Sequence, residues 1–74
     1  MMKFFVCNFD EDTTVADLAN LFSEFGEVSM VRIARGKKKK YGIVTMETDD
    51  GLAIAGLDGK HWRGQWLKVT ESLW

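Results

Sequence analysis

Apolar and polar side chains alternate with a period of two along four stretches of the chain. These stretches are residues 3–8, 27–34, 39–46 and 66–70, and they are rich in β-branched and aromatic residues. Such alternation is typical of strands that bury one face. In the second stretch the alternation breaks near Ser29, which indicates a β-bulge. The chain is therefore expected to form four β-strands.

A helical period follows the first strand. Thr13 or Thr14 is placed to cap this helix, and Asp17 stands three residues after Thr14, as in a capping box. The helix is expected to end near residue 25, where Gly26 provides a stop. One apolar stripe with spacing i, i+3, i+4 and i+7 is formed by Leu18, Leu21, Phe22 and Phe25. This stripe is expected to lie in the core.

A second helix is predicted over residues 49–57, with Thr48 as its cap. Gly51 and Gly56 are poor helix formers, and each costs about 1 kcal/mol relative to alanine inside a helix. Packing through three apolar side chains is expected to hold the helix: Ala53, Ile54 and Leu57. A short hairpin arm over residues 60–63 and a turn at residues 64–65 then lead into the last strand.

The resulting order βαββαβ predicts an α+β fold of the ferredoxin-like type, a four-stranded antiparallel sheet with two helices on one face. The chain supplies no cover for the other face. That open face is expected to carry Lys3, Phe5, Met30, Arg32, Tyr41, Ile43, Trp66, Lys68 and Thr70. An uncovered apolar sheet face usually marks an interaction site.

Length and charge limit the functions that this fold can serve. The 74 residues correspond to a single domain, residues 1–74, and the net charge of −1 argues against a purely electrostatic binder of nucleic acid. The charge is segregated, however, since acidic residues gather at 10–12 and 47–50. Arg32, Arg35 and residues 37–40 gather in the middle of the chain and predict one basic edge.

Residues suited to catalysis or metal binding are few. Cys7 is the single cysteine and forms no CxxC motif, and no Cys–His pair or phosphate-binding glycine loop is apparent. His61 is read as an ordinary exposed histidine. We therefore expect a protein that is not an enzyme, with no cofactor and no metal. Because no charged leader and no apolar run of membrane-spanning length occur, a cytoplasmic protein without membrane contact is expected.

Residues 39–46, KKYGIVTM, resemble the octamer motif of the RNA recognition motif family. Lys40 stands where the family has glycine, and Ile43 and Met46 stand where it has aromatics. The positions that fit are Lys39, Tyr41, Gly42 and Val44. Residues 4–9, FFVCNF, resemble the companion hexamer of the family, and Leu57-Asp58-Gly59 resembles the end of its second helix. The chain also looks like the small single-domain RNA-binding proteins of cyanobacteria.

The resemblance implies that the two motif strands lie side by side, which makes Phe5 and Tyr41 neighbours on the open face. Bases of single-stranded RNA are then expected to stack on these two rings, with Ile43 at a third position and Trp66 nearby. Phosphates or base edges are expected to meet Lys3, Arg32, Lys39 and Lys68. The alternative is a protein-interaction module, in which the same face packs on a partner helix or on a second copy of the chain.

Overall fold

The computed structural model describes residues 1–47 and 51–72 of the chain. The strands and helices follow in the order β1 (Met2–Cys7), α1 (Val15–Ser23), β2 (Val28–Arg35), β3 (Lys40–Met46), α2 (Leu52–Leu57), β4 (His61–Trp62), β5 (Gln65–Trp66) and β6 (Lys68–Ser72). Two of the strands, β4 and β5, form a separate hairpin that extends to Trp66, beyond the hairpin arm predicted over residues 60–63.

The main sheet has four antiparallel strands in the order β2-β3-β1-β6. The predicted fold class is confirmed, because α1 packs on β2 and β3 while α2 packs on β6. The predicted β-bulge is confirmed as well, since the register of β2 against β3 shifts between Val28 and Met30. The first strand of the chain is thus an inner strand of the sheet.

The core lies between the sheet and the two helices, where alternation has sorted the strand side chains. In β1, Phe4 and Val6 are fully buried, whereas Lys3 on the opposite face is exposed. The apolar side chains on one face of the sheet pack against the apolar stripe of each helix, and this contact removes both from solvent. The buried core consists of Phe4, Val6, Leu18, Leu21, Phe22, Val44, Met46, Ala53, Leu57, Leu67 and Val69.

The start of α1 is the capping box that the sequence predicted. The Asp17 amide donates to Thr14 Oγ1 (3.2 Å), and the Thr14 amide donates to Asp17 Oδ2 (2.9 Å). The hydrogen bond from the Thr14 amide is the main cause that lowers the pKa of Asp17, and the Arg63 guanidinium acts in the same direction. The helix ends at Ser23, slightly before the predicted end near residue 25.

The second helix is shorter than predicted, and its two glycines have different roles. Gly51 is the N-cap with φ 83°, so it lies outside the helix and the expected cost of a glycine there was wrong. Gly56 lies under Phe25, because a Cβ at this position would be 2.4 Å from that ring. The glycine therefore makes room for an aromatic contact between the ends of the helices. The predicted cap Thr48 and residues 49–50 lie outside the described residues.

The last strand begins later than predicted. Trp66 was expected in the sheet, but it belongs to the hairpin, where it pairs with His61, and β6 starts at Lys68. Arg63 and Gly64 both have positive φ, 52° and 81°, as the two central residues of a type I′ turn require. The turn therefore lies one residue earlier than the predicted turn at 64–65.

We expect Gly42→Ala to destabilise the fold by about 1–3 kcal/mol, because the position is overpacked by an added methyl group. A Cβ on Gly42 would lie 2.7 Å from Leu18 Cδ1, and Leu18 of α1 is fully buried. Urea denaturation of wild type and variant measures this loss. In a Leu18→Val background the added cost should shrink, because the contacting methyl has been withdrawn. Equal costs in both backgrounds would contradict the steric explanation.

Candidate functional site

An aromatic pair lies on the face of the sheet that the helices leave uncovered. The rings of Phe5 on β1 and Tyr41 on β3 are 6.0 Å apart between centroids, with an interplanar angle of 67°. Phe5 is directly opposite Ile43, so Tyr41 is its diagonal neighbour. The predicted proximity of the two rings is confirmed. Such edge-to-face contacts hold aromatic rings in a defined orientation.

The predicted site residues Arg32, Ile43 and Phe5 form one row across the sheet. Arg32 on β2 is opposite Ile43, and Ile43 is opposite Phe5. The row continues to Thr70 on β6, which is opposite Phe5 on its other side. The strand pairing therefore brings an arginine, an aliphatic side chain and an aromatic ring onto one continuous strip of the open face.

Two further predicted cations stand on neighbouring rows. Lys3 is opposite Thr45 of β3, and Lys68 of β6 is opposite Cys7 of β1. Both lysines are exposed, as is Arg32. Among residues 1–47 and 51–72, no carboxylate pairs with these three cations. Their charges are therefore available to an anion that lies across the face.

A groove of about 420 Å³ adjoins the aromatic pair. Its lining residues are Phe5, Cys7, Lys39, Lys40 and Tyr41. The basic loop that forms one wall is closed by a hydrogen bond from the Gly36 amide to the Lys39 carbonyl (2.9 Å). Lys40 is partly engaged, since its Nζ donates to the Glu11 carbonyl at 3.1 Å. The groove thus combines an aromatic floor with a cationic wall.

Asn8 connects three parts of the site and was missed as a functional residue by sequence reasoning. It follows β1 with φ 64°, a left-handed conformation that asparagine tolerates better than most residues. Its Nδ2 donates to the Trp66 carbonyl (2.7 Å), and its Oδ1 accepts from Lys39 Nζ (3.2 Å). The one available signal was an asparagine at the end of a strand, just before a polar turn.

Trp66 lies at the border of the site, on the hairpin rather than in the sheet. It is 64% exposed, and the ring of His61 lies against it at 4.5 Å between centroids. The opposite side of the hairpin is anchored to α1, because Arg63 donates to both carboxylate oxygens of Asp17 at 2.9 and 3.2 Å. Arg63 also lies over the Trp62 ring at 4.8 Å. The hairpin is therefore fixed to the body of the domain.

A metal site and a membrane-spanning helix each place requirements on the described residues. Within residues 1–47 and 51–72 there is no group of three or more His, Cys, Asp or Glu side chains arranged to hold a metal. No helix in those residues has both the length and the apolar character needed to span a membrane.

Comparison with known proteins gives consistent matches over nearly the whole chain. The family model described as RNA recognition motif matches residues 4–68. A relative from Synechocystis sp., named "Putative RNA-binding protein RbpA", is 35% identical over 96% of this chain and 76% of its own length. A Nostoc sp. relative, "Putative RNA-binding protein RbpE", is also 35% identical, over 96% of this chain and 78% of its own.

Solved structures show the same architecture. The crystal structure of RNA Binding Protein PG1 superposes with a TM-score of 0.89 at 26% identity and covers all of this chain and 96% of its own. The Pes4 RRM3 structure gives a TM-score of 0.86 at 29% identity, covering 97% and 92% of the two chains. The Synechocystis and Nostoc relatives confirm the predicted resemblance to small cyanobacterial RNA-binding proteins.

Proposed function

The chain belongs to the RNA recognition motif family, and from this we propose that it binds single-stranded RNA on the open face of its sheet. Family membership supports a binding domain rather than an enzyme. The proposal treats residues 1–74 as one domain that works without a cofactor. The free Cys7 thiol is suited to a reducing compartment, so we place the protein in the cytoplasm.

The observation that carries the proposal is the pair of Phe5 and Tyr41, two rings 6.0 Å apart on the sheet face opposite α1 and α2. Unpaired bases stack on aromatic side chains, and each stack is worth about 1–3 kcal/mol. Two adjacent rings on inner strands are suited to two bases of a single strand. Ile43, directly opposite Phe5, adds an apolar contact without a third aromatic surface.

Cations around the rings are suited to the phosphates that join stacked bases. Lys3, Arg32 and Lys68 are exposed on the same face, and Lys39 is on the wall of the groove. Because lysine and arginine contacts to phosphate do not depend on base identity, we expect sequence-tolerant binding. The proposed RNA-contacting residues are Lys3, Phe5, Arg32, Lys39, Tyr41, Ile43, Trp66 and Lys68.

Exposed apolar side chains favour a second candidate, a protein-interaction module. Met30 on β2 is 56% exposed and lies opposite Thr45 of β3. A partner helix or a second copy of the chain would bury such a surface. In that case Ile43 and Met30 would carry the contact and the lysines would be peripheral.

Salt dependence separates the two candidates. We expect fluorescein-labelled eight-nucleotide RNA to bind with a log K that falls linearly with log salt, at about −0.7 per phosphate contact. With four cations engaged, the slope should be about −3. Lys39→Gln should make the slope about 0.7 less steep, measured by fluorescence anisotropy between low and moderate potassium chloride.

The matched control is Lys60→Gln, since Lys60 is exposed but lines neither the groove nor the aromatic pair. It should leave the slope unchanged. Absence of saturable binding by the wild type at low salt would reject the RNA proposal. In that event, sedimentation of the chain alone tests the homodimer, since a second copy on the open face would raise the sedimenting mass.

A further inference from the structure

Trp66 is exposed, unlike every other phenylalanine, tyrosine or tryptophan in the described residues. A single exposed apolar residue is common on protein surfaces and would not by itself indicate a site. Trp66 differs because the fold fixes it at the edge of a basic, aromatic-lined surface. A role for Trp66 in binding depends on this placement, and it rests on the proposed function.

Two contacts hold Trp66 in place before any ligand arrives. Its carbonyl accepts the 2.7 Å hydrogen bond from Asn8, and its ring has His61 on one side. The hairpin that carries it is tied to α1 through the two Arg63–Asp17 hydrogen bonds. A ring that is already ordered loses little conformational entropy when another ring stacks on it.

Two adjoining hollows lead from the aromatic pair toward the hairpin and end at Gln65, the residue before Trp66, which itself lines neither hollow. The groove beside Phe5 and Tyr41 shares Lys39 and Lys40 with a second hollow of about 330 Å³. Asn8 and Gln65 are among the other residues that line this second hollow, and Gln65 is the hairpin neighbour of Trp66. Asn8 also accepts from Lys39 Nζ, so the same amide orients the cation and the tryptophan backbone.

We propose that the β4–β5 hairpin is a second platform for the same RNA strand, on which Trp66 stacks with a base that lies beyond the sheet. Lys39 meets the phosphate between the bases on the sheet and the base on the hairpin. Asn8 is a positioning residue, because it holds both groups without itself being required to contact RNA. The site therefore extends along the strand past the two bases on Phe5 and Tyr41.

A length series of labelled oligouridines tests this extension. The shortest oligomers reach only the sheet, and wild type and Trp66→Ala should bind them with equal affinity. On oligomers of about eight nucleotides, Trp66→Ala should bind about 5- to 150-fold more weakly, which is the range for loss of one stacked base. Trp66→Phe should restore most of the affinity. Leu52→Ala, at a 55% exposed position on α2, should have no effect at any length.

Each outcome bears on one proposal. Trp66→Ala binding that equals wild type at every length, while Phe5→Ala/Tyr41→Ala binding is lost, would overturn the second platform and leave the sheet site standing. If Trp66→Ala loses affinity equally for oligomers of every length, Trp66 has a structural role, and this outcome would also overturn the second platform. Failure of the wild type to bind any oligomer would reject the proposed function itself.

Photo-crosslinking of the wild type provides a second readout that does not depend on variant folding. RNA containing 4-thiouridine should crosslink to Trp66 when the oligomer is long and should not when it reaches only the sheet. Mass spectrometry of the digested protein locates the crosslink. Crosslinks confined to Phe5 and Tyr41 with the long oligomer would overturn the proposal.

Discussion

Replacing both Phe5 and Tyr41 by alanine should lower the affinity for single-stranded RNA by about 30-fold or more. Two stacks at about 1–3 kcal/mol each are lost together, and each 1.4 kcal/mol corresponds to a factor of ten. The rings are 6.0 Å apart on adjacent strands, so a single substitution would leave one ring of the pair in place and both are replaced together. Fluorescence anisotropy with labelled RNA measures the loss, and circular dichroism confirms that the variant remains folded.

A matched double variant, Phe5→Leu/Tyr41→Leu, identifies the chemistry of the contact. Leucine keeps an apolar surface but cannot stack with a base, so RNA binding should fall nearly as far as in the alanine variant. A protein interface, in contrast, would tolerate leucine because it depends mainly on buried apolar area. Retention of RNA affinity by the alanine variant would show that the bases lie elsewhere.

Phe22→Ala should destabilise the domain by about 3–5 kcal/mol, the usual cost of removing a fully buried aromatic ring. Phe22 has no exposed surface, and its ring lies 6.0 Å from that of Phe4, which links α1 to β1. Domains of this length have a total stability of about 4–11 kcal/mol. The variant should therefore have lost much of its stability, as measured by its free energy of unfolding in urea.

Leu52→Ala is the control for this comparison. Leu52 is apolar and helical like Phe22, but it is 55% exposed, so its replacement should change the free energy of unfolding by less than about 0.5 kcal/mol. A cost for Phe22→Ala that is no larger than that of the control would mean that the core can collapse around the missing ring.

Alternation along the strands predicted most of the fold and the centre of the candidate site. Phe5 and Tyr41 occupy positions of the same parity as other open-face residues, so a regular strand puts their side chains on the uncovered side. The proximity of the two rings was implied only by the resemblance to the RNA recognition motif family, in which the two motif strands lie side by side. The two inner strands are six and seven residues long and pair without a register shift, so the alternation can be followed along them.

The edge of the site was harder to predict, because its elements are too short to have a period. The strands β4 and β5 have two residues each, and the turn between them is specified by the backbone of Arg63 and Gly64. Trp66 was therefore assigned to the sheet by extending the alternation of the next strand. Asn8 is 31 residues from Lys39 and 58 residues from Trp66 in the sequence, and a local sequence pattern cannot predict hydrogen bonds over such separations.

The position of β1 between β3 and β6 has a consequence during protein synthesis. At roughly 5–20 residues per second, the ribosome needs about 2–7 s after Cys7 to reach the first residue of β3, and about 3–12 s to reach β6. Until then Phe4 and Val6 have no complete core to enter. The nascent chain thus carries its most apolar strand unpaired for seconds, and the proposed RNA-binding surface is complete only once β6 brings Lys68 to the sheet.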